Sequence, residues 1–362
     1  MILVNNNGDE EHAFWPLKHA AWNGFTPTDL VFPTFLFLVG VSLVFATESR
    51  LARGVAKASI FLHALRRTVI LILLGFLVNS FPFFHLGSLR YYGVLQRIAL
   101  CYLIATIVLL LDRGWRSKVV IWAGCLAGYW ALMRFVPVPG YGVPTHTVPI
   151  NDYDGNLVAY IDRSIFAAKH LYERTRDPEG LLSTLPAVGT IMMGVLTGLW
   201  IRTSRTLAQK IRGIALVGLS CVLFGLAWNP WFPINKKLWT SSYVLLVGGL
   251  SMLLLALTMF LVDRHPSGEP DTERHRSYPL LFPFFVLGTN SIAAYVISEL
   301  LGSAIGLIHI EPHSNPLRWL YQHLLLLLHN AAFASLAYSI LYVILCWIPV
   351  YFMYRKRIFL KV

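Results

Sequence analysis

Apolar runs of roughly 17 to 25 residues recur along this sequence, and that length matches the hydrocarbon thickness of a bilayer. They lie near 27–48, 67–84, 93–111, 119–136, 182–201, 213–228, 239–262, 280–301 and 331–353. Only 13% of the 362 residues are charged and 56% are apolar, whereas a soluble domain carries about 25% charged residues. The expected fold is all-α: a polytopic membrane bundle with about nine full spans, preceded by the end of a truncated first helix. Met1–Val4 read as the last turn of that helix. "MILVNNNGDEEH" has neither a basic leader nor an apolar stretch of signal-peptide length.

The net charge of +12 comes from short basic clusters between spans rather than a continuous stripe. This is an orientation signal, and it gives no reason to expect nucleic acid as a partner. "ESRLARGVAKASIFLHALRR", "DRGWRSK", "RTSRTLAQKIR", "DRHPSGEPDTERHR" and the tail "RKRIFLKV" hold 19 of the 30 lysines and arginines. These segments are expected on the cytoplasmic side, which places the stretch around His19 and a long loop, 137–181, on the periplasmic or lumenal side. Cys101, Cys125, Cys221 and Cys346 lie inside apolar runs, too scattered for disulfides or a zinc site. No metal is expected, and no internal repeat is evident.

Polar groups in or beside a span cost free energy unless paired or wetted, so each needs a reason. In "KHAAWNGFTPTDLVFPTFLFLVGVSL", Trp22 and Asn23 fit an interfacial belt, and so does His19. An imidazole, with a free pKa of about 6.5, equally fits a base or nucleophile. Thr26 or Thr28 suits an N-cap, with Pro27 near the first turn and Asp29 as an acid favourable to the helix dipole. Gln96 and Arg97 enter an apolar helix. Arg97 either pairs with Asp29 or Glu299, or presents a cation to an anionic ligand. "PINKKLWTSSYVL" sets Asn235, Lys236 and Lys237 just outside a span, with Trp239, Ser241 and Ser242 just within it. Asn290 suits interhelical hydrogen bonding, and Glu299 stands near the outer end of its run. In the long loop, Asp177-Pro178-Glu179 reads as a helix start. Loops of this length serve as lids or binding segments when they are not simply solvated.

Five of these segments, in order, resemble one family: "KHAAWNGFTPTDLVFPTFLFLVGVSL", "RYYGVLQRIALCYL", "DPEGLLSTLPA", "PINKKLWTSSYVL" and "GTNSIAAYVISE". They are similar to the transmembrane acetyltransferases related to heparan-α-glucosaminide N-acetyltransferase, and the likeness runs through the whole chain. It implies one acyltransferase domain over 1–362, with 1–26 forming the truncated helix and an outer catalytic loop. The implied reaction moves acetyl from cytoplasmic acetyl-CoA to the amine of a glucosamine-like sugar on the opposite side. The family's active-site histidine falls at His19, and its upstream asparagine at Asn6 or the neighbouring Asn5. The family's Leu-Asp-x-x-Arg-Gly segment is absent. The lack of a large extracytosolic N-terminal region makes the chain look like a bacterial, inner-membrane member. His19 would take the acetyl group transiently or deprotonate the amine, with Asn6 and Arg97 steadying the carbonyl oxygen. The other candidates, Trp22, Asn23, Asp29, Gln96, Asp177, Glu179, Asn235, Lys236, Trp239, Ser241, Asn290 and Glu299, would contact donor or acceptor. A homodimer stays open. Two rival readings are a carrier or flippase for an anionic solute and an O-acetyltransferase of an envelope polysaccharide.

Overall fold

The protein is described here from a computed structural model covering residues 1–112, 114–144, 149–263, 281–310 and 315–360. Within them the chain is helical, and the only β pairing is an isolated bridge between Val138 and Gly142. One turn, α1 (Ile2–Asn5), precedes α2 (Val31–Ala52), α3 (Lys57–Ser80), α4 (Val94–Leu111) and α5 (Trp115–Phe135). A short α6 (Leu157–Ile165) leads to α7 (Thr184–Ile201), α8 (Leu207–Trp228) and α9 (Ser241–Thr258). Then come α10 (Phe282–Thr289), α11 (Ser291–Gly306), α12 (Pro316–Leu328) and α13 (Ala331–Arg355).

Seven segments are long and apolar enough to cross a bilayer: Pro27–Ala52, α3, α4, α7, α8, Ser241–Asp263 and α13. The pair α10–α11, bent by 86°, makes an eighth if it is one broken span. The nine expected runs therefore become seven or eight among the described residues. Helix α5 fills the fourth run, yet Arg116, Lys118 and Arg134 lower its hydropathy and it is not one of the seven. Helix α3 starts ten residues earlier than its apolar run. Lys57 and Arg66 remain exposed, so helical hydrogen bonding continues into the basic segment without desolvating charge. The basic loop expected at 263–276 falls almost wholly outside the described residues, as do Arg113 and the last two residues of the tail.

The break between α10 and α11 falls at Asn290, but that side chain is not an interhelical bridge. Its Nδ2 donates to the Ile358 carbonyl (3.1 Å) and its Oδ1 accepts from the Leu360 amide (2.9 Å). It ties the bend to the segment after α13. All four cysteines are buried packing residues.

The core is built from helix pairs: α8 on α9, α2 on α7, α3 on α4 and α5 on α7. The α2–α7 crossing is close, and glycine makes it so. A Cβ on Gly194 would stand 1.9 Å from the Phe37 carbonyl oxygen, and one on Gly40 would stand 2.2 Å from that of Ile191. Backbone meets backbone here, so no side chain can yield, as at small-residue contacts in membrane bundles generally. Gly194→Leu should therefore cost about 3 kcal/mol or more. Thermal unfolding and the yield of monodisperse protein would register it, whereas Gly128→Leu, in open space, should be nearly silent.

The helices alternate in direction, so 18–30, 81–93, 136–183 and 229–240 gather at one end of the bundle. The basic connections gather at the other.

Candidate active site

Residues 18–30 fold back over the entrance to α2. Pro27–Leu30 form a 3₁₀ turn, and Asp29 closes on the Thr26 amide in a capping box. Of the two N-caps anticipated, Thr26 takes the position, and Asp29, anticipated as the first-turn acid, completes the box with one oxygen. Oδ2 accepts from the backbone amides of Thr26 (3.1 Å) and Ala20 (3.1 Å). Oδ1 lies 2.7 Å from Nδ1 of His19. Asp29 is fully buried, whereas 34% of the His19 side chain is exposed. A carboxylate only accepts, so the hydrogen of this pair sits on Nδ1 and the lone pair of Nε2 is left free.

Lys236 completes the cluster. Its Nζ stands 3.4 Å from Asp29 Oδ1, 2.9 Å from His19 Nδ1 and 3.5 Å from His19 Nε2. Burial draws the Lys236 pKa down, against the pull of the Asp29 carboxylate. The loop carrying Lys236 is stitched to the loop carrying His19. The Gly24 amide donates to the Ile234 carbonyl (2.8 Å), and Asn235 Nδ2 donates to Asn23 Oδ1 (3.3 Å).

These groups face a cavity of about 560 Å³ that Asn5, Arg90, Glu179, Trp239 and Glu299 also line. Arg90 holds its rim: Nε donates to Asp177 Oδ2 (2.7 Å), and Nη2 donates to Asp177 Oδ1 (2.5 Å) and Glu179 Oε2 (2.5 Å). Burial opposes the Arg90 charge, but the two carboxylates raise its pKa overall. This pairing replaces the helix start expected at Asp177-Pro178-Glu179. The stretch is a turn, and α7 begins only at Thr184. Asp162 fastens the same turn from α6 by accepting the Asp177 amide (3.1 Å) and the Leu181 amide (3.2 Å). Burial pushes the Asp162 carboxyl up to about 6.

A second, apolar cavity of about 510 Å³ adjoins the first and shares Val31, Val94 and Tyr295 with it. Leu38 on α2 and Ile98 on α4 lie further along its wall, towards the basic end of the bundle.

The other expected site residues divide. Trp239 lines the polar cavity while its Nε1 donates to Thr190 Oγ1 (3.1 Å). Glu299 lines it and takes a hydrogen bond from the Asn5 side chain. Asn6 turns the other way, its Nδ2 donating to the Ile2 carbonyl (3.0 Å). Arg97 pairs with neither Asp29 nor Glu299. It is buried, donates to the Gly180 carbonyl (3.1 Å) and to Ser183 Oγ, and lies over the Trp239 ring at 5.0 Å. It acts on the cavity through Trp239 and the turn at Gly180. Gln96 is buried against Gly75 and Gly93.

Trp22, Asn23, Asn235 and Ser241 serve the scaffold. Trp22 Nε1 donates to the Asn151 carbonyl (2.7 Å) and its ring stacks on Tyr153. Asn23 Oδ1 accepts from Asn151. Asn235 Oδ1 accepts the Leu238 amide (2.9 Å), and Ser241 donates to the Leu126 carbonyl (2.7 Å). Asn290, tied to the segment after α13, lies away from the cavity.

Arg90, Tyr172 and Glu173 line the cavity without having been singled out. Arg90 lies outside the five basic segments, and a cation on the side of the membrane that disfavours lysine and arginine was the available signal. Glu173 pairs with Lys237 Nζ (2.8 Å) and with Arg176, contacts 64 and three residues away along the chain.

Residues 12–224, more than half of the chain, match the family described as "Heparan-alpha-glucosaminide N-acetyltransferase, catalytic". Among curated proteins, the Homo sapiens heparan-alpha-glucosaminide N-acetyltransferase is 28% identical over 414 aligned positions, covering 100% of this chain and 58% of that protein. The Mus musculus protein of the same name is 29% identical over 353, covering 83% of this chain and 51% of its own length. The chain thus spans little more than half the length of these relatives. The matched region takes in the His19–Asp29 pair, Arg90 and the 177–181 turn, and ends before Lys236. The chain, with its multi-pass helical frame, belongs to the heparan-alpha-glucosaminide N-acetyltransferase catalytic family.

Proposed function

We propose that the chain is a membrane-embedded acetyltransferase, a single acyltransferase domain in a bacterial cytoplasmic membrane. It moves an acetyl group from acetyl-CoA on the cytoplasmic side to the amine of a glucosamine-like sugar on the other side. The observation that carries this reading is the His19–Asp29 pair, with Nδ1 bonded at 2.7 Å to a fully buried carboxylate and the ring facing the outer cavity. Such a pair sets the imidazole's orientation and tautomer, so Nε2 is ready to act as base or nucleophile.

Acetyl-CoA carries charge that does not cross hydrocarbon, and an exported sugar does not return. The apolar cavity beside α2 and α4 suits the uncharged pantetheine arm, with the nucleotide end left at the basic face. The acceptor amine is a cation in water. Glu173 and Glu179 are already paired with Lys237 and Arg90, while Glu299 forms no ion pair among the described residues and accepts from Asn5. Glu299 is therefore the carboxylate open to an ammonium group, which favours an amine acceptor over a hydroxyl. His19 Nε2 then either receives the acetyl group and yields it to the amine, or takes the amine's proton as it attacks the thioester directly. Asn5 lines the cavity beside Glu299, as Asn7 also does, whereas Asn6 is not among the lining residues.

The test is acetyl transfer by purified protein from labelled acetyl-CoA to glucosamine. Label on the amine nitrogen, with stoichiometric CoA release, is expected. No CoA release with any amine or hydroxyl acceptor, alongside uptake of an anionic solute into proteoliposomes, would leave a carrier as the better reading.

A further inference from the structure

The His19 ring has two polar partners among the described residues, and they approach it differently. Asp29 lies at the ring's edge, on Nδ1. An atom on the in-plane lone pair of one ring nitrogen must stand far from the other. Lys236 Nζ is 2.9 Å from Nδ1 and only 3.5 Å from Nε2. Nζ therefore rides over the face of the imidazole, and the in-plane lone pair of Nε2 remains unblocked. We infer that Lys236 is a catalytic residue of the acetyl-transfer reaction: its ammonium group stabilises the oxyanion that forms when the acetyl carbonyl is attacked at His19. This deepens the acetyltransferase reading and rests on it.

The geometry suits that charge. Attack along the in-plane lone pair of Nε2 forms the N–C bond within the ring plane. The π electrons of the carbonyl move onto oxygen, and this oxygen swings out of the plane, on one face of the ring. On that face stands Nζ, roughly 4 Å from such a position, longer than a hydrogen bond but near enough for its charge to act on the oxyanion. When the oxyanion collapses, the C–S bond breaks and CoA leaves as its thiolate. The ring carries the acetyl group as an acyl-imidazolium, its Nδ1 hydrogen still on the ring and donated to Asp29. The amine repeats the sequence on the same carbon: its nitrogen attacks, the oxyanion reforms, and the C–Nε2 bond breaks as the amine proton leaves to solvent. In the direct route Nε2 takes the amine proton and returns it to the departing thiolate, and the same carbonyl oxygen gains the charge. Both routes need one fixed cation over the ring.

Preorganisation separates this role from that of a surface lysine. The backbone on either side of Lys236 is locked: the Asn235 amide donates to Thr240 Oγ1 (3.0 Å), and Asn235 Oδ1 accepts the Leu238 amide (2.9 Å). Asp29 Oδ1 holds the ammonium at 3.4 Å. A donor fixed before the reaction contributes more than one that must reorient during it.

The test compares wild type with Lys236→Met, Lys236→Arg and Lys236→Cys, with acetyl-CoA affinity measured separately by equilibrium binding. Lys236→Met should lower kcat about a hundredfold to a thousandfold, the size seen for loss of one oxyanion donor, with acetyl-CoA binding changed less than threefold (about 0.7 kcal/mol). Lys236→Arg should recover little of the rate, because a planar guanidinium does not place the same charge over the ring. Aminoethylation of Lys236→Cys regenerates an ammonium of nearly the same reach and should restore most of the rate, the four native cysteines being buried. That rescue also answers for any misfolding in the methionine variant. Near-wild-type kcat in Lys236→Met, or a large loss of acetyl-CoA binding with kcat preserved, would overturn the catalytic role while leaving the acetyltransferase reading intact. A wild-type protein without acetyl transfer overturns both.

Discussion

His19→Ala is expected to lower acetyl transfer by at least about a thousandfold, some 4 kcal/mol of transition-state stabilisation. Removing the ring deletes both the free Nε2 and the group to which Asp29 Oδ1 is bonded at 2.7 Å. The fold should survive. His19 is partly exposed, and Asp29 keeps its two backbone amides and the Lys236 ammonium at 3.4 Å. Kinetics with saturating acetyl-CoA, set beside thermal unfolding of the same preparation, separate the two effects. A variant that unfolds at the wild-type temperature and keeps more than a tenth of the activity would remove His19 from the reaction.

Asp29→Asn should be almost as damaging, about a thousandfold to ten-thousandfold in kcat, for a reason visible in its hydrogen bonds. Oδ2 accepts from the Ala20 and Thr26 amides, so the oxygen of an asparagine must take that place. The amide NH2 is then forced towards His19. Facing a donor, Nδ1 becomes the acceptor and the ring proton moves to Nε2, where it occupies the lone pair that does the chemistry. The consequence is the wrong tautomer in an unchanged geometry. The asparagine oxygen keeps both backbone amides, so stability should fall little. A pH–rate profile and heat unfolding of Asp29→Asn check both halves. Activity within tenfold of wild type would show that the carboxylate only caps the turn.

Much of this arrangement is legible along the chain because bilayers impose a length. The runs at 93–111 and 331–353 appear as Val94–Leu111 and Ala331–Arg355, since hydrocarbon thickness and helical rise together set both limits. The reading weakens where helix and hydrocarbon part company. Lys57–Arg66 is helix outside the apolar run, and the run at 280–301 breaks at Asn290, whose partners lie 68 and 70 residues further on.

The site shows the same division. His19 could be singled out because a polar cluster beside a span demands explanation and because its segment resembles a known family. Asp29 was readable as the acid of a threonine-capped first turn, and that turn is there. Its second oxygen, which bonds His19, is invisible to local spacing because a cap rule accounts for one lone pair at a time. Arg97 was matched with acids by charge alone, yet backbone carbonyl, hydroxyl and an aromatic face hold it instead. Arg90 meets Asp177 and Glu179 across 87 and 89 residues. Lys236 reaches His19 across 217. Contacts that distant depend on how helices return to the same end of the bundle, and no periodicity in one segment encodes that.

The central claim is that the His19 cavity joins a donor on one side of the membrane to an acceptor on the other. Sealed proteoliposomes of uniform orientation test it most directly, with labelled acetyl-CoA supplied only at the face bearing the basic connections and glucosamine only at the opposite face. Labelled N-acetylglucosamine should accumulate on the acceptor side with wild-type protein and be absent with His19→Ala. Product formed only when donor and acceptor share one face, or formed equally by the His19 variant, would contradict it.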